Sequence, residues 1–416
     1  MAVDTSAPAR EAAGPAPGAA VEARPAIDAP ALGVVALGHA VTDSYGWTLL
    51  APMMPVLAAR LALTEGDIGM LALVMGLSAS LGQPLLGLIT DRRPRWCLVA
   101  LGPMIAALFV TRAYQATGFW TLAGLLFCGG IGIGAFHPQG AMLARRAGHG
   151  SGLAMSAFTV GGNLGFGLAP LLGGLYYFYL GPERFHWAAT PAILFGVAML
   201  TLYYRRGFFG GPVRQVAARH EEVNGQIGGQ PWALALLTGT VVVRSAVQQG
   251  LVTFLPFLVV ERMGLAGSGT ARAVAVSTFL LASAFAGPLG GHLADRIGRR
   301  RLMLVSSLLA PWPVLAAMHA PGPWMLLLMG LGGLILTLPH PSNVVWAQEF
   351  MPRSAGIAAS MITGFGWGIA LLAMKPLGDF AHASTTHTAL AWLSLTPLLG
   401  LALTLPLPET PRRSRR

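Results

Sequence analysis

Five ionisable side chains stand inside apolar stretches of this chain, and their types point to two kinds of chemistry. His39 and Asp43 lie four residues apart in one stretch, His137 in a second, Arg244 in a third and His340 in a fourth. Burial raises the pKa of a carboxyl and a neighbouring arginine lowers it. Asp43 moving between two such surroundings would load and release a proton. His39, His137 and His340 titrate nearer neutrality and fit the same role, or serve as hydrogen-bonded packing residues. Arg244 carries a permanently charged planar fork that suits a carboxylate, phosphate or phosphonate. Its alternative is an ion pair with Asp43. The candidate proton site is therefore Asp43 with His39, and the candidate substrate site is Arg244, His137, Gln248, His340, Trp47 and Asn163. Gln83, Gln249 and Asn343 are further polar groups able to meet a substrate or bridge helices, and Phe136 joins Trp47 as an expected apolar wall.

The elements that must hold these groups are membrane helices. Of 416 residues, 54% are hydrophobic and only 10% charged, with a mean hydropathy of +0.62. Soluble domains carry about 25% charged residues, so lipid is the solvent this composition fits. A charge at the bilayer centre costs at least about 2.5–3.5 kcal/mol and is retained where it faces a cavity and serves function. Apolar runs predict twelve spans, near 33–59, 67–90, 96–114, 119–143, 151–177, 186–204, 231–260, 270–294, 301–319, 323–350, 354–378 and 384–406. The polar stretch 205–230 is expected to be a cytoplasmic linker between six-span bundles over 31–204 and 231–407. Residues 1–30, rich in Ala and Pro and without an apolar h-region, are expected to form a disordered cytoplasmic tail, and 408–416 a basic one. Cys97 and Cys128 lack metal or disulfide spacing and read as small buried side chains.

The net charge of +11 has a topological explanation. Arginines cluster in alternate loops: Arg92, Arg93 and Arg95; Arg145 and Arg146; the linker; Arg296 to Arg301; Arg353; and the C-terminal end. Such loops stay cytoplasmic, which puts both termini inside. No basic patch interleaved with aromatic residues indicates nucleic acid. The halves also repeat. Gly87-Leu-Ile-Thr-Asp91-Arg92 is matched by Gly291-His-Leu-Ala-Asp295-Arg296 at an offset of 204, and His137-Pro138 by His340-Pro341 at an offset of 203. Duplicated halves with a substrate site between them near the midplane are a common transporter plan.

The run Gly291-x-Leu-x-Asp295-Arg296-x-Gly-Arg299-Arg300 resembles the signature loop of the major facilitator superfamily, and the first copy keeps Gly87, Asp91, Arg92 and Arg95 while departing at Ile89, Pro94 and Trp96. Gly161-Gly-Asn-Leu-Gly165, followed by Pro170 and Gly173-Gly174, is similar to the glycine-rich fifth-helix motif of that superfamily's proton-coupled exporters, with Ala169 replacing a glycine; an ordinary packing face is the alternative. Gly38-His39 with Asp43, Gln83-Pro84, Phe136-His137-Pro138-Gln139-Gly140 and Arg244-Ser245 resemble the fosmidomycin-resistance-like branch. The resemblance implies an all-α membrane protein of about twelve helices in two pseudo-symmetric six-helix bundles. It also implies that the helices bearing His39, Asp43, His137, Arg244 and His340 line a central cavity, and that Gly87, Asp91, Arg92, Gly291, Asp295, Arg296 and Arg299 form gating loops.

The expected function is proton-coupled efflux of a small anionic or zwitterionic compound, fosmidomycin-like, across the inner membrane, the partners being substrate, protons and lipid, with a monomer as the working unit. A proton-coupled importer of an organic anion or sugar is the alternative. No HExxH, GxSxG or nucleotide-binding Gly-x-x-x-x-Gly-Lys-Ser/Thr pattern occurs, so neither an enzyme nor an ATP-driven pump is expected, and neither cofactor nor metal.

Overall fold

The computed structural model describes residues 27–92, 97–149, 151–206 and 229–409, with the side chains at 84–92, 152, 178, 203–206 and 267 outside that description. The expected tails and linker fall almost wholly outside the described residues, as do the side chains of Gly87, Asp91 and Arg92.

Among the described residues, nine helices are long and apolar enough to cross a membrane. In chain order these are α3 (Cys97–Gln115), α4 (Phe119–Ala147), α5 (Leu153–Tyr177), α6 (Tyr179–Leu202), α7 (Pro231–Ala266), α8 (Gly269–Ile297), α10 (Gly322–Phe350), α11 (Pro352–Ala383) and α12 (Thr386–Thr404). Three other helical segments complete the twelve that the hydropathy predicts. The first, α1, is split into Ala29–Ser44 and Trp47–Leu61. The second, α2 (Glu65–Arg92), carries Glu65 and Asp67 at one end and Asp91 and Arg92 at the other. The third, α9, opens on three arginines and is divided at Ala310 into Arg299–Leu309 and Pro311–Ala317. The first is interrupted, and the third is both interrupted and more charged than a simple hydrophobic span; α2 is 28 residues long, and its side chains at 84–92 lie outside the described residues.

Local chemistry fixes the breaks. Asp28 accepts from the Ala31 amide at 3.1 Å and Pro30 stands in the first turn, so α1 starts at Ala29. It stops at Tyr45–Gly46, immediately after Asp43. In α10, Pro339 has no amide hydrogen, and the helix opens at Leu338–Pro339. Gly298 turns the chain between α8 and α9 at φ 93°, a conformation that favours glycine.

Packing gives two six-helix bundles. In the first, α2 and α3 pack on α4, α1 on α5 and α3 on α6; in the second, α8 and α9 pack on α10, and α11 and α12 on α7. Between bundles the principal contacts are α2 with α11 and α5 with α8. The apolar core reports how they meet. At the face opposite the arginine-rich loops, one continuous cluster joins Leu49, Leu57, Leu71 and Leu126 of the first bundle to Leu251, Phe254, Val276 and Met329 of the second. At the arginine-rich face there are two separate clusters: Val35, Val99, Phe136 and Phe158 belong to the first bundle, and Leu237, Met303, Trp346 and Phe350 to the second. The bundles are thus joined at one face and parted at the other. The joined face is tied by Glu65 and His382, 2.8 Å apart across the seam. Lys375 pairs with Asp379 at 2.5 and 2.6 Å.

Candidate functional site

A cavity of about 280 Å³ lies on the seam between the bundles. Asp43, Trp47, Gln83, His137, Asn163, Gln248 and Gln249 all line it, so the structure gathers most of the residues chosen by type into one chamber. Phe136 is not among them: it is fully buried and packs against the His39 ring at 5.8 Å. The aromatic walls are instead Trp47, Phe166 and Trp367, the last two in edge contact at 6.4 Å. Trp367 follows a π-helical turn over Met361–Phe365 in α11, and such turns frequently occur at functional sites. The Trp47 indole nitrogen is buried without a hydrogen-bond partner.

Asp43 is clasped by two imidazoles. Nε2 of His39 lies 3.3 Å from one of its carboxylate oxygens and Nε2 of His137 lies 3.3 Å from the other. Each ring is oriented from behind. His39 Nδ1 is 2.8 Å from the Phe158 carbonyl and His137 Nδ1 is 2.8 Å from the Ile133 carbonyl. A carbonyl can only accept, so both Nδ1 atoms carry hydrogen. Both Nε2 atoms of the neutral rings then aim lone pairs at an acceptor carboxylate, and each contact needs a proton to become attractive. Phe158 also stacks on His39 at 4.0 Å. The ligand atoms of the three residues lie within 4.8 Å of one another, close enough to clasp a cation as well as to share protons.

The glycine-rich motif of α5 makes this clasp possible. A methyl group on Gly161, Gly165 or Gly173 would strike the carbonyls of Ala36, Ala40 and Leu49 on α1, so these three are the packing face. Gly162 differs: its added carbon would stand 2.5 Å from His39 Nε2 and 2.8 Å from Asp43 Oδ2. Gly162→Ala is expected to cost the clasp about 1–3 kcal/mol through overpacking, a roughly five- to hundredfold loss of transport with membrane expression retained. Gly33→Ala, where the new carbon meets nothing within 4 Å, is expected to be silent. Vesicle uptake by the two variants checks both.

Arg244 lies elsewhere and does not pair with Asp43. Only 6% exposed, its guanidinium donates to Ser307 Oγ at 3.0 Å, to Ser306 Oγ at 2.6 Å, and to the carbonyls of Ile335 and Leu336. The Ile335 carbonyl is one that Pro339 leaves without its helical amide partner. No carboxylate among the described residues pairs with this arginine. Beside it is a small pocket of about 20 Å³ lined by Arg244, Gln248, His340 and Asn343, with room for about one water. Gln248 borders both this pocket and the central cavity, and the Asn343 Oδ1 is unpartnered. His340 is thus placed with Arg244 and apart from the Asp43 clasp.

At the arginine-rich face, Arg299 pairs with Glu349. Asp295 and Arg296 are exposed. A side chain at Gly291 would meet nothing within 4 Å, whereas its neighbour Gly290 faces the Leu338 carbonyl of α10. One residue is about 100° of helix, which turns Gly291 away from that contact.

The chemistry and fold agree with relationships visible in known proteins. The Major Facilitator Superfamily model matches residues 38–374. This chain belongs to that superfamily. It is a multi-pass membrane transporter and not an enzyme. It is 28% identical over 386 residues to the MFS-type transporter YfnC of Bacillus subtilis, covering 91% of this chain and 93% of that one. It is also 28% identical over 395 residues to the fosmidomycin resistance protein of Escherichia coli, covering 91% and 92%. Among solved structures, the nucleoside transporter NupG superposes with a TM-score of 0.70 at 15% identity, covering 91% of this chain and 98% of that one, a likeness of fold.

Proposed function

We propose that this transporter is a proton-coupled exporter of a small anionic or zwitterionic compound, fosmidomycin-like in chemistry, in the cytoplasmic membrane. One observation carries the reading: the two bundles hold opposite chemistry in two neighbouring sites that share Gln248. The first holds a carboxylate between two imidazoles; the second holds a buried arginine with which, among the described residues, no carboxylate pairs. An anionic substrate meets Arg244 by way of Gln248, while Asp43, His39 and His137 hold the exchanged proton. Trp47, Asn163 and the edge of His340 complete the substrate site. The loops at Asp91, Arg92, Asp295 and Arg296 would latch the arginine-rich face when the bundles rock to close it.

The test is uptake of fosmidomycin or another phosphonate into inverted vesicles driven by a pH gradient. Gradient-dependent accumulation supports the proposal; accumulation only in right-side-out vesicles identifies an importer. A chelator separates protons from a metal in the clasp: transport is expected to be unaffected by it.

Orientation follows from the arginines. A fluorescent protein fused to either terminus is expected to mature and fluoresce, and a periplasm-dependent phosphatase fused to the C-terminus to stay inactive. An active phosphatase fusion would invert the assignment.

A further inference from the structure

A second pocket, of about 540 Å³, lies away from the central cavity, between α5 and α8 near the joined face. Its floor and walls are Met53, Leu168, Leu171, Leu175 and Tyr177, and at its head stands Arg272. Arg272 is 3% exposed, and its Nε and Nη1 are buried without a hydrogen-bond partner. The nearby Tyr114 hydroxyl is unpartnered as well. Among the described residues, no acidic side chain lines the pocket. Removing a guanidinium from water without a counter-charge costs several kcal/mol, so an anion belongs beside it.

The surroundings state what kind of anion. Leu168, Leu171 and Leu175 are partly exposed on a membrane-spanning helix, so the groove opens toward acyl chains. Arg272 is in the first turn of α8, at headgroup depth, and Tyr179 at the same end is exposed as interfacial tyrosines are. From Tyr179 back to Leu168 is eleven residues, roughly 16 Å of helix, about half the roughly 30 Å hydrocarbon core. The groove therefore runs from one headgroup layer to the midplane.

We infer that this groove is a binding site for one anionic phospholipid, its phosphate on Arg272 and an acyl tail along Leu168–Leu175. The lipid joins α5 of one bundle to α8 of the other and so favours the arrangement closed at this face. The site is independent of the transport proposal, since it shares no residue with the Asp43 clasp or the Arg244 pocket.

The full-length protein, purified in detergent, is to be titrated with phosphatidylglycerol, read by native mass spectrometry and by melting temperature. Wild type is expected to retain one lipid per chain and to melt several degrees higher with it. Arg272→Leu and Leu171→Trp are expected to lose affinity by about tenfold or more, and Arg272→Lys to keep part of it. Diacylglycerol, which has tails but no phosphate, and inorganic phosphate, which has no tails, are expected to give neither adduct nor shift. Loss of a buried unpaired charge is tolerable for folding, and an unchanged gel-filtration profile shows that the variants fold. Equal phosphatidylglycerol binding by wild type and Arg272→Leu overturns the inference. So does equal response to diacylglycerol, which makes the groove a plain apolar slot, or to inorganic phosphate, which makes Arg272 a free-anion site.

Discussion

Asp43→Asn is expected to reduce gradient-driven accumulation in inverted vesicles to background while leaving substrate exchange between equilibrated compartments running. Asparagine keeps the shape of the side chain, and its amide can donate to one imidazole Nε2, so half of the clasp survives without a carboxylate, while the contact of its oxygen with the other Nε2 still needs a protonated ring. What disappears is the group that obliges the site to hold a proton. Substrate affinity, whose charged anchor the proposal places in the other bundle, is expected to shift by less than about tenfold. His137→Gln and His39→Gln each leave one imidazole facing Asp43 and are expected to weaken coupling without abolishing it. Phe158 cannot be tested in the same way, because it is its backbone carbonyl that fixes the His39 tautomer. Accumulation by Asp43→Asn that still follows the pH gradient would remove Asp43 from the coupling mechanism.

The sequence displays the gross plan of this protein because that plan rests on hydropathy, which each residue carries by itself. Twelve apolar runs, two six-span halves and the arginine-rich loops need no knowledge of which helix neighbours which. The ionisable candidates are legible for the same reason: His39, Asp43, His137, Arg244 and His340 are costly wherever they sit in lipid. Their partners are not legible. Nothing in a run of serines marks Ser306 and Ser307 as the cradle of Arg244, since α7 and α9 are about sixty residues apart in sequence. The Gly162 clearance depends on α1 crossing α5 at one height, and the glycine motif alone shows only that some helix comes close. The π turn before Trp367 leaves no compositional trace. Phe136 turns away from the cavity it is expected to wall, and Gly290 rather than Gly291 meets α10, because helical position does not reveal rotation about the axis. Pro339 is the one available clue to the Arg244 site: a proline in the tenth helix frees a carbonyl, and a freed carbonyl in a membrane demands a donor.

Arg244→Gln is expected to abolish high-affinity binding of an anionic substrate, because the pocket would lose its permanent cation while keeping the desolvation cost of the bound anion. Truncating one partner of a buried charge pair costs about 2–5 kcal/mol, a loss of roughly thirtyfold to several thousandfold in affinity. Arg244→Lys is expected to be nearly as poor. The guanidinium serves two hydroxyls and two carbonyls at once, and a single ammonium with three donors cannot hold that set and still reach an anion. Ser306→Ala and Ser307→Ala, which loosen the fork without removing charge, are expected to cost about 1.5–3 kcal/mol each, the range for hydrogen bonds to charged groups. Binding of a labelled phosphonate to purified protein measures all four. The same variants decide whether Arg244 and Asp43 are partners, the alternative the sequence leaves open. They share no contact here, so the free-energy losses of stability in Arg244→Gln and Asp43→Asn, read by thermal melting, should add in the double variant to within about 0.5 kcal/mol. A double variant markedly more stable than that sum would mean that the two charges meet in another conformation of the cycle, and that the arginine serves the gate before it serves the substrate.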